Sequence, residues 1–264
     1  MDNAKDKRVN LIEQITQDSE MFHKLFNDMD AEGCFDAQLY QVGDNMDNRK
    51  GFRNFQLACM GWLSIAIAPV VLIVTTLIYS LPFPQSISET GTMANMVSPI
   101  LPFALGALAL FSLSYAIRYA YDYFWDKLFT LCMCAGFTLV AMFPCASPYV
   151  TSDRVGLLGV SLVVSNWIHC VGALIGFGAM ICWILFCFTK SDKAKADQSK
   201  QKRVRNLIYN AMGYSIAICL AIFLLSVAGQ LTAGFALTYW LEAVILCGSG
   251  VCCLFKSGAL LKDR

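Results

Sequence analysis

The chain has 264 residues, 57% of them hydrophobic and 15% charged, with a mean hydropathy of +0.54 and a formal net charge of +1 at pH 7. A soluble domain usually carries about 25% charged residues, so this composition argues against one and points to an all-α integral membrane protein. The near-zero charge gives no reason to expect a nucleic-acid partner.

Residues 1–54 read as a polar tail without the apolar core of a secretory signal peptide. Between Arg8 and Met29, apolar residues recur at Ile12, Ile15, Phe22, Leu25, Phe26 and Met29. This spacing predicts an amphipathic helix that packs on the protein's own cytosolic face or lies on the membrane. Ala31–Asn48, rich in Asp, Asn, Gly and Gln, reads as a linker.

Residues 55–256 read as a transmembrane domain. A helix needs about 20 apolar residues to cross the hydrocarbon core, and its backbone amides must be satisfied internally there. The apolar runs predict six spans: Leu57–Ser80, Ser98–Ile117, Leu128–Phe143, Val164–Phe188, Leu207–Gly229 and Phe235–Phe255. Pro99 and Pro102 fall in the first turns of the second, where proline is tolerated. The third ends at Pro144. The start of the fourth is open, because the apolar run begins at Leu157. Polar connections are expected at 81–97, 118–127, 145–157, 190–205 and 230–234, and Lys256–Arg264 forms a basic tail.

The charges fix a direction. With six spans, one side receives the N-terminal tail, the 118–127 turn, the 190–205 loop and the C-terminal tail, which hold 19 of the 20 Lys and Arg. The other side holds Arg154 alone. By the positive-inside rule both termini are expected in the cytosol. A five-span or seven-span reading would put a basic cluster on the wrong side.

The twelve cysteines suggest neither disulfides nor zinc. Most fall within apolar runs, as small polarizable packing residues do. Cys132 and Cys134 are spaced C-x-C with no second pair or histidine nearby. No cofactor or metal is expected.

An ionisable residue inside a bilayer is costly and faces the protein interior or a wet cavity. Glu242 is the one acid deep within a predicted span, and His169 the one histidine outside the N-terminal tail. Both lie roughly 10 Å below the exterior ends of their spans, at ~1.5 Å per residue. The exterior segment offers Ser86, Ser88, Glu89 and Thr90 beside them. Either Glu242 and His169 pair to fix helix positions, or Ser88, Glu89, Thr90, His169 and Glu242 line a pocket for a lipid headgroup or another polar ligand.

The segment Ile87-Ser88-Glu89-Thr90-Gly91-Thr92 resembles the I-S-D-T-G-T signature after the first span in the damage-regulated autophagy modulator (DRAM) family, which also holds FGF receptor activating and GPI-lipid remodelling proteins. His169-Cys170-Val171-Gly172-Ala173, followed by Phe177, is similar to that family's H-x-x-G-A pattern. Glu242 stands where the family has a Glu, with Ala243 in place of the usual Trp. The resemblance covers residues 55–255. It implies six spans with cytosolic ends, and a role in autophagy, phosphoinositide kinase recruitment or GPI-anchor remodelling. Fold does not decide among these.

Three functions compete. The first is a non-catalytic regulator that binds a lipid or a cytosolic protein partner. The second is an intramembrane lipid-remodelling enzyme performing acyl transfer or hydrolysis: Ser165 and His169 share a helix face four residues apart, and Glu242 would complete a triad. The strained nucleophile elbow is missing, however, and one membrane histidine is too few for a zinc-dependent lipid hydrolase. The third is a transporter, for which neither broken helices nor inverted repeats are evident. The ranking is regulator, enzyme, transporter. Lys190, Lys193, Lys195, Lys200, Lys202, Arg203 and Arg205 either set orientation alone or face anionic lipid, at about 1 kcal/mol each.

Overall fold

Long apolar runs can satisfy their backbone in a bilayer only as helices or closed barrels, and this chain forms helices. The computed structural model describes residues 46–93, 97–119, 123–156, 158–190, 199–227 and 236–260. The expected amphipathic helix at 8–29, Lys193, Lys195 and the turn at 230–234 lie outside them. The chain divides into two compact units, Met1–Gly51 and Phe52–Arg264, and the helix bundle is the second.

The helices are α1 (Met46–Leu72, continued as a π-helical turn Ile73–Ile78), α2 (Ile100–Arg118), α3 (Phe124–Met142), α4 (Leu162–Cys182, continued as a π-helical turn Trp183–Phe188), α5 (Lys200–Val227) and α6 (Leu237–Ser257). Six helical stretches, one from each, are long and apolar enough to cross a membrane. The all-α, six-helix, multi-pass reading therefore stands. Phe103, Leu110, Trp167 and Leu207 are exposed on the outside of the bundle, where lipid replaces water.

Three boundaries differ from the sequence reading. The linker expected to run to Asn48 gives way to helix at Met46. Lys200, Lys202, Arg203 and Arg205, expected in a loop, form the first turns of α5, with Ser199 Oγ accepting from the Lys202 amide at 3.2 Å. Asp126 and Lys127, expected in a turn, begin α3. An apolar run measures the hydrocarbon thickness, and a helix continues past it wherever its backbone and caps allow. A fourth difference is a short antiparallel hairpin within a segment read as loop and apolar run. β1 (Arg154–Val155) pairs with β2 (Val160–Ser161), and Gly156 and Gly159 at φ 72° and 58° turn the chain between them. Ser161 then caps α4 by accepting from the Val164 amide.

Small residues set the closest crossings. A Cβ on Gly136 of α3 would lie 2.3 Å from the Gly176 amide nitrogen of α4. A Cβ on Gly250 of α6 would lie 2.6 Å from the Gly61 carbonyl oxygen of α1. Without a hydrophobic force between helices in lipid, such backbone approach is what gains dispersion energy. Beside the second crossing, Pro69 lacks the amide that would bond the Ile65 carbonyl. Cys247 Sγ of α6 approaches that oxygen at 3.9 Å.

α6 is the most enclosed helix, 67% buried over its apolar window, whereas α5 is 22% buried. Glu242 lies on the buried side of α6. α6 ends in a Schellman-type cap, with Gly258 at φ 78° and the Ala259 amide donating to the Leu254 carbonyl at 3.1 Å.

Candidate functional site

The segment between α1 and α2 buries Ile87, Met93 and Val97, and two carboxylates hold its backbone. Ser88–Thr92 forms a 3-10 turn. Glu89 Oε2 accepts from the amides of Gln85 at 2.9 Å and Ser86 at 3.3 Å, and its own amide donates to Ser86 Oγ at 2.9 Å. This reciprocal pattern is a capping box. Glu242, from α6, accepts through Oε2 from the amides of Ile87 at 2.5 Å and Ser88 at 3.3 Å, and through Oε1 from Ser88 Oγ at 3.0 Å. Each of the four consecutive amides 85–88 thus ends on a carboxylate.

The remaining polar groups of the turn are also committed. Thr90 Oγ1 donates to the Ile87 carbonyl at 2.6 Å, Thr92 Oγ1 donates to the Glu89 carbonyl at 2.6 Å and accepts from Ser147 Oγ at 2.7 Å, and Ser98 Oγ donates to the Gly91 carbonyl at 2.8 Å. The α6 start joins in, with the Tyr239 amide donating to the Gln85 carbonyl at 2.9 Å. Glu89, Thr90 and Glu242 are buried.

His169 serves a different segment. α3 stops before Pro144, which cannot continue a helix, and carbonyls at its end need partners. His169 Nδ1 bonds the Phe143 carbonyl at 2.8 Å, and Ser165 Oγ donates to the Pro144 carbonyl at 2.7 Å. A carbonyl oxygen only accepts, so Nδ1 carries the proton, and Nε2 is the acceptor in the neutral ring.

The expected polar residues therefore gather at one end of the bundle but divide into two sets. Ser88, Glu89, Thr90 and Glu242 form one network. His169 and Ser165 close the end of α3. The two sets meet at a cavity of about 340 Å³ whose wall includes Ser88, Ser98, Leu101, Pro102, Met142 and His169. Glu242 stands behind that wall, holding Ser88. The geometry does not assemble a triad: Ser165 gives its proton to a carbonyl, His169 uses Nδ1 on another, and Glu242 accepts from the turn between α1 and α2.

Cys145 also belongs to this end. Burial pushes its thiol up to about 12, and the Glu242 and Glu89 carboxylates push in the same direction. It stays protonated at neutral pH, unlike a nucleophilic or metal-binding cysteine. Among the described residues every cysteine is free, and no group of three or more His, Cys, Asp or Glu could hold a metal ion. The Ser86-x-x-Glu89 capping box is written in the sequence as S-x-x-E, so Glu89, a ligand candidate from sequence, serves as a cap.

The basic residues lie elsewhere. Lys190 Nζ stands 3.3 Å from the centroid of the Tyr123 ring. Lys202 Nζ donates to the carbonyls of Phe188 and Lys190. Lys200 and Arg203 are exposed on α5, and Arg205 is half-buried.

No protein-family model, curated protein or solved structure matches this chain.

Proposed function

We propose that the protein is a non-catalytic, multi-pass membrane regulator with its basic end in the cytosol, and that it binds a membrane lipid in the cavity at the opposite end. The observation that carries this reading is the two-natured wall of that cavity. Ser88 Oγ, Ser98 Oγ and His169 Nε2 keep acceptor lone pairs for a headgroup donor, while Leu101, Pro102 and Met142 supply apolar surface for the start of an acyl chain. Small-molecule sites combine an apolar lining with a few fixed polar groups in this way. The carboxylates of Glu242 and Glu89 fix the turn that presents Ser88, so the site is preorganised. A role in lipid handling or membrane traffic agrees with the resemblance to the DRAM family.

Native mass spectrometry of the purified protein with lipids retained tests the reading. A defined lipid carried by the wild type and lost from both His169→Ala and Ser98→Ala supports it. A folded wild type that retains no lipid, or retains the same lipids as both folded variants, overturns it.

A further inference from the structure

The cavity beside Ser88 and His169 is specific about hydrogen-bond direction. Ser88 Oγ gives its proton to Glu242 Oε1 at 3.0 Å, and Ser98 Oγ gives its proton to the Gly91 carbonyl at 2.8 Å. A hydroxyl has one proton and two lone pairs. His169 Nδ1 spends the ring proton on the Phe143 carbonyl at 2.8 Å, which leaves Nε2 a lone pair. All three side chains therefore meet the cavity as acceptors. His169 is 5% exposed, so a donor for Nε2 has to come from within the cavity. Pro102 and Pro144, on the same wall, have no amide proton to give.

The charge around the cavity has the matching sign. Glu242 holds Ser88 from behind, Glu89 is the next residue of that turn, and both are buried. Across 81–99 and 143–161 the sequence holds one Lys or Arg, Arg154, exposed beside the exposed Asp153. Buried charges are screened by salt much less than exposed ones, so the two carboxylates favour a cation here.

We propose that this cavity selects a lipid whose headgroup ends in a primary ammonium. Such a group brings three N–H donors and a positive charge to a wall of acceptors backed by carboxylates. Choline carries the same charge without an N–H. It would leave the acceptors unpaired, and a site built around hydrogen bonds rejects an analogue that lacks them. The ammonium belongs to an ethanolamine phospholipid or to a free sphingoid base. This rests on the lipid-binding reading of the same cavity and names the headgroup it takes.

The test offers the delipidated full chain in detergent equimolar dioleoyl phosphatidylethanolamine, its N,N-dimethyl derivative and dioleoyl phosphatidylcholine, read by native mass spectrometry. The wild type is expected to retain the ethanolamine lipid about 10-fold more than the choline lipid, with the dimethyl lipid between them. Ser98→Ala and His169→Ala should each reduce that preference to about 3-fold or less. Displacement of the ethanolamine lipid by sphingosine assigns the sphingoid base as the ligand, and no displacement assigns the phospholipid. Equal retention of ethanolamine and choline lipids by the wild type overturns the headgroup proposal and leaves the lipid-binding reading standing, whereas retention of no lipid, sphingosine included, overturns both. A preference unchanged in both folded variants also overturns the proposal, because the selecting groups then lie outside this cavity.

Discussion

Glu242 takes both the amide and the hydroxyl of Ser88 from a helix that begins about 150 residues further along the chain, the hydroxyl bond measuring 3.0 Å. A carboxylate spent on the backbone of a loop is a clamp. It fixes the backbone of a segment whose Ile87, Met93 and Val97 are buried in the bundle.

Loss of the clamp should show as stability. Glu242→Gln removes acceptor capacity while buried amides remain, and hydrogen bonds to charged groups contribute about 1.5–3 kcal/mol each. A drop in the thermal midpoint in detergent is expected, larger for Glu242→Ala. Combined with Ser88→Ala, the loss should fall short of the sum of the singles by about 0.5–3 kcal/mol. Full additivity would mean the two side chains do not bond.

Glu242 and His169 share no hydrogen-bond partner. Their double variant should therefore come closer to additivity than the Glu242–Ser88 pair, measured by the same melts. A larger coupling for Glu242–His169 would restore the direct pairing considered from sequence.

The α3–α4 crossing predicts a sharp contrast between glycines. Gly136→Ala would drive a Cβ into backbone of α4, and overpacking of this kind costs about 1–3 kcal/mol or more. Gly178→Ala, on the same pair of helices, meets nothing within 4 Å and should be neutral or stabilising. Equal midpoints for the two variants would contradict the close approach.

Ser165 is expected to behave as a cap and not as a nucleophile. A fluorophosphonate probe should leave it unlabelled, and Ser165→Ala should lose about 1 kcal/mol of stability through the Pro144 carbonyl. Labelling that disappears in Ser165→Ala would reinstate the enzyme.

Cys145 should resist alkylation. Its raised pKa leaves the thiolate scarce at pH 7–8, and the thiolate is the attacking species. Iodoacetamide modification of this residue, followed by peptide mass spectrometry, should stay slow and rise only as the pH climbs toward the folded value of about 12. Rapid modification at pH 7.5 in the folded protein would show a thiol neither buried nor beside carboxylates.

The number and rough placement of the spans were legible because lipid imposes a one-dimensional requirement: enough consecutive apolar residues, with no exposed backbone. The extent of each helix was less so. Lys200–Arg205 and Asp126 read as loop because they are polar, yet Ser199 caps α5 and helix continues through both. The hairpin at Arg154–Ser161 was hidden across the loop and the start of the apolar run that leads into α4. Its Gly156 and Gly159 gave the only local signal.

At the site, sequence picked out Ser88, Glu89, Thr90, His169 and Glu242 because ionisable and hydroxyl groups near a membrane interior are rare and costly. That argument depends on composition and depth, so it could place these residues at one end of the bundle. It could not say which of them bond. Partner choice depends on distances set by the Gly136–Gly176 and Gly61–Gly250 crossings and by where Pro144 stops α3. Only the tertiary structure therefore decided that Glu242 clamps the Ile87 and Ser88 amides, that His169 serves the end of α3, and that Lys202 and Lys256 share the Phe188 carbonyl at the other end.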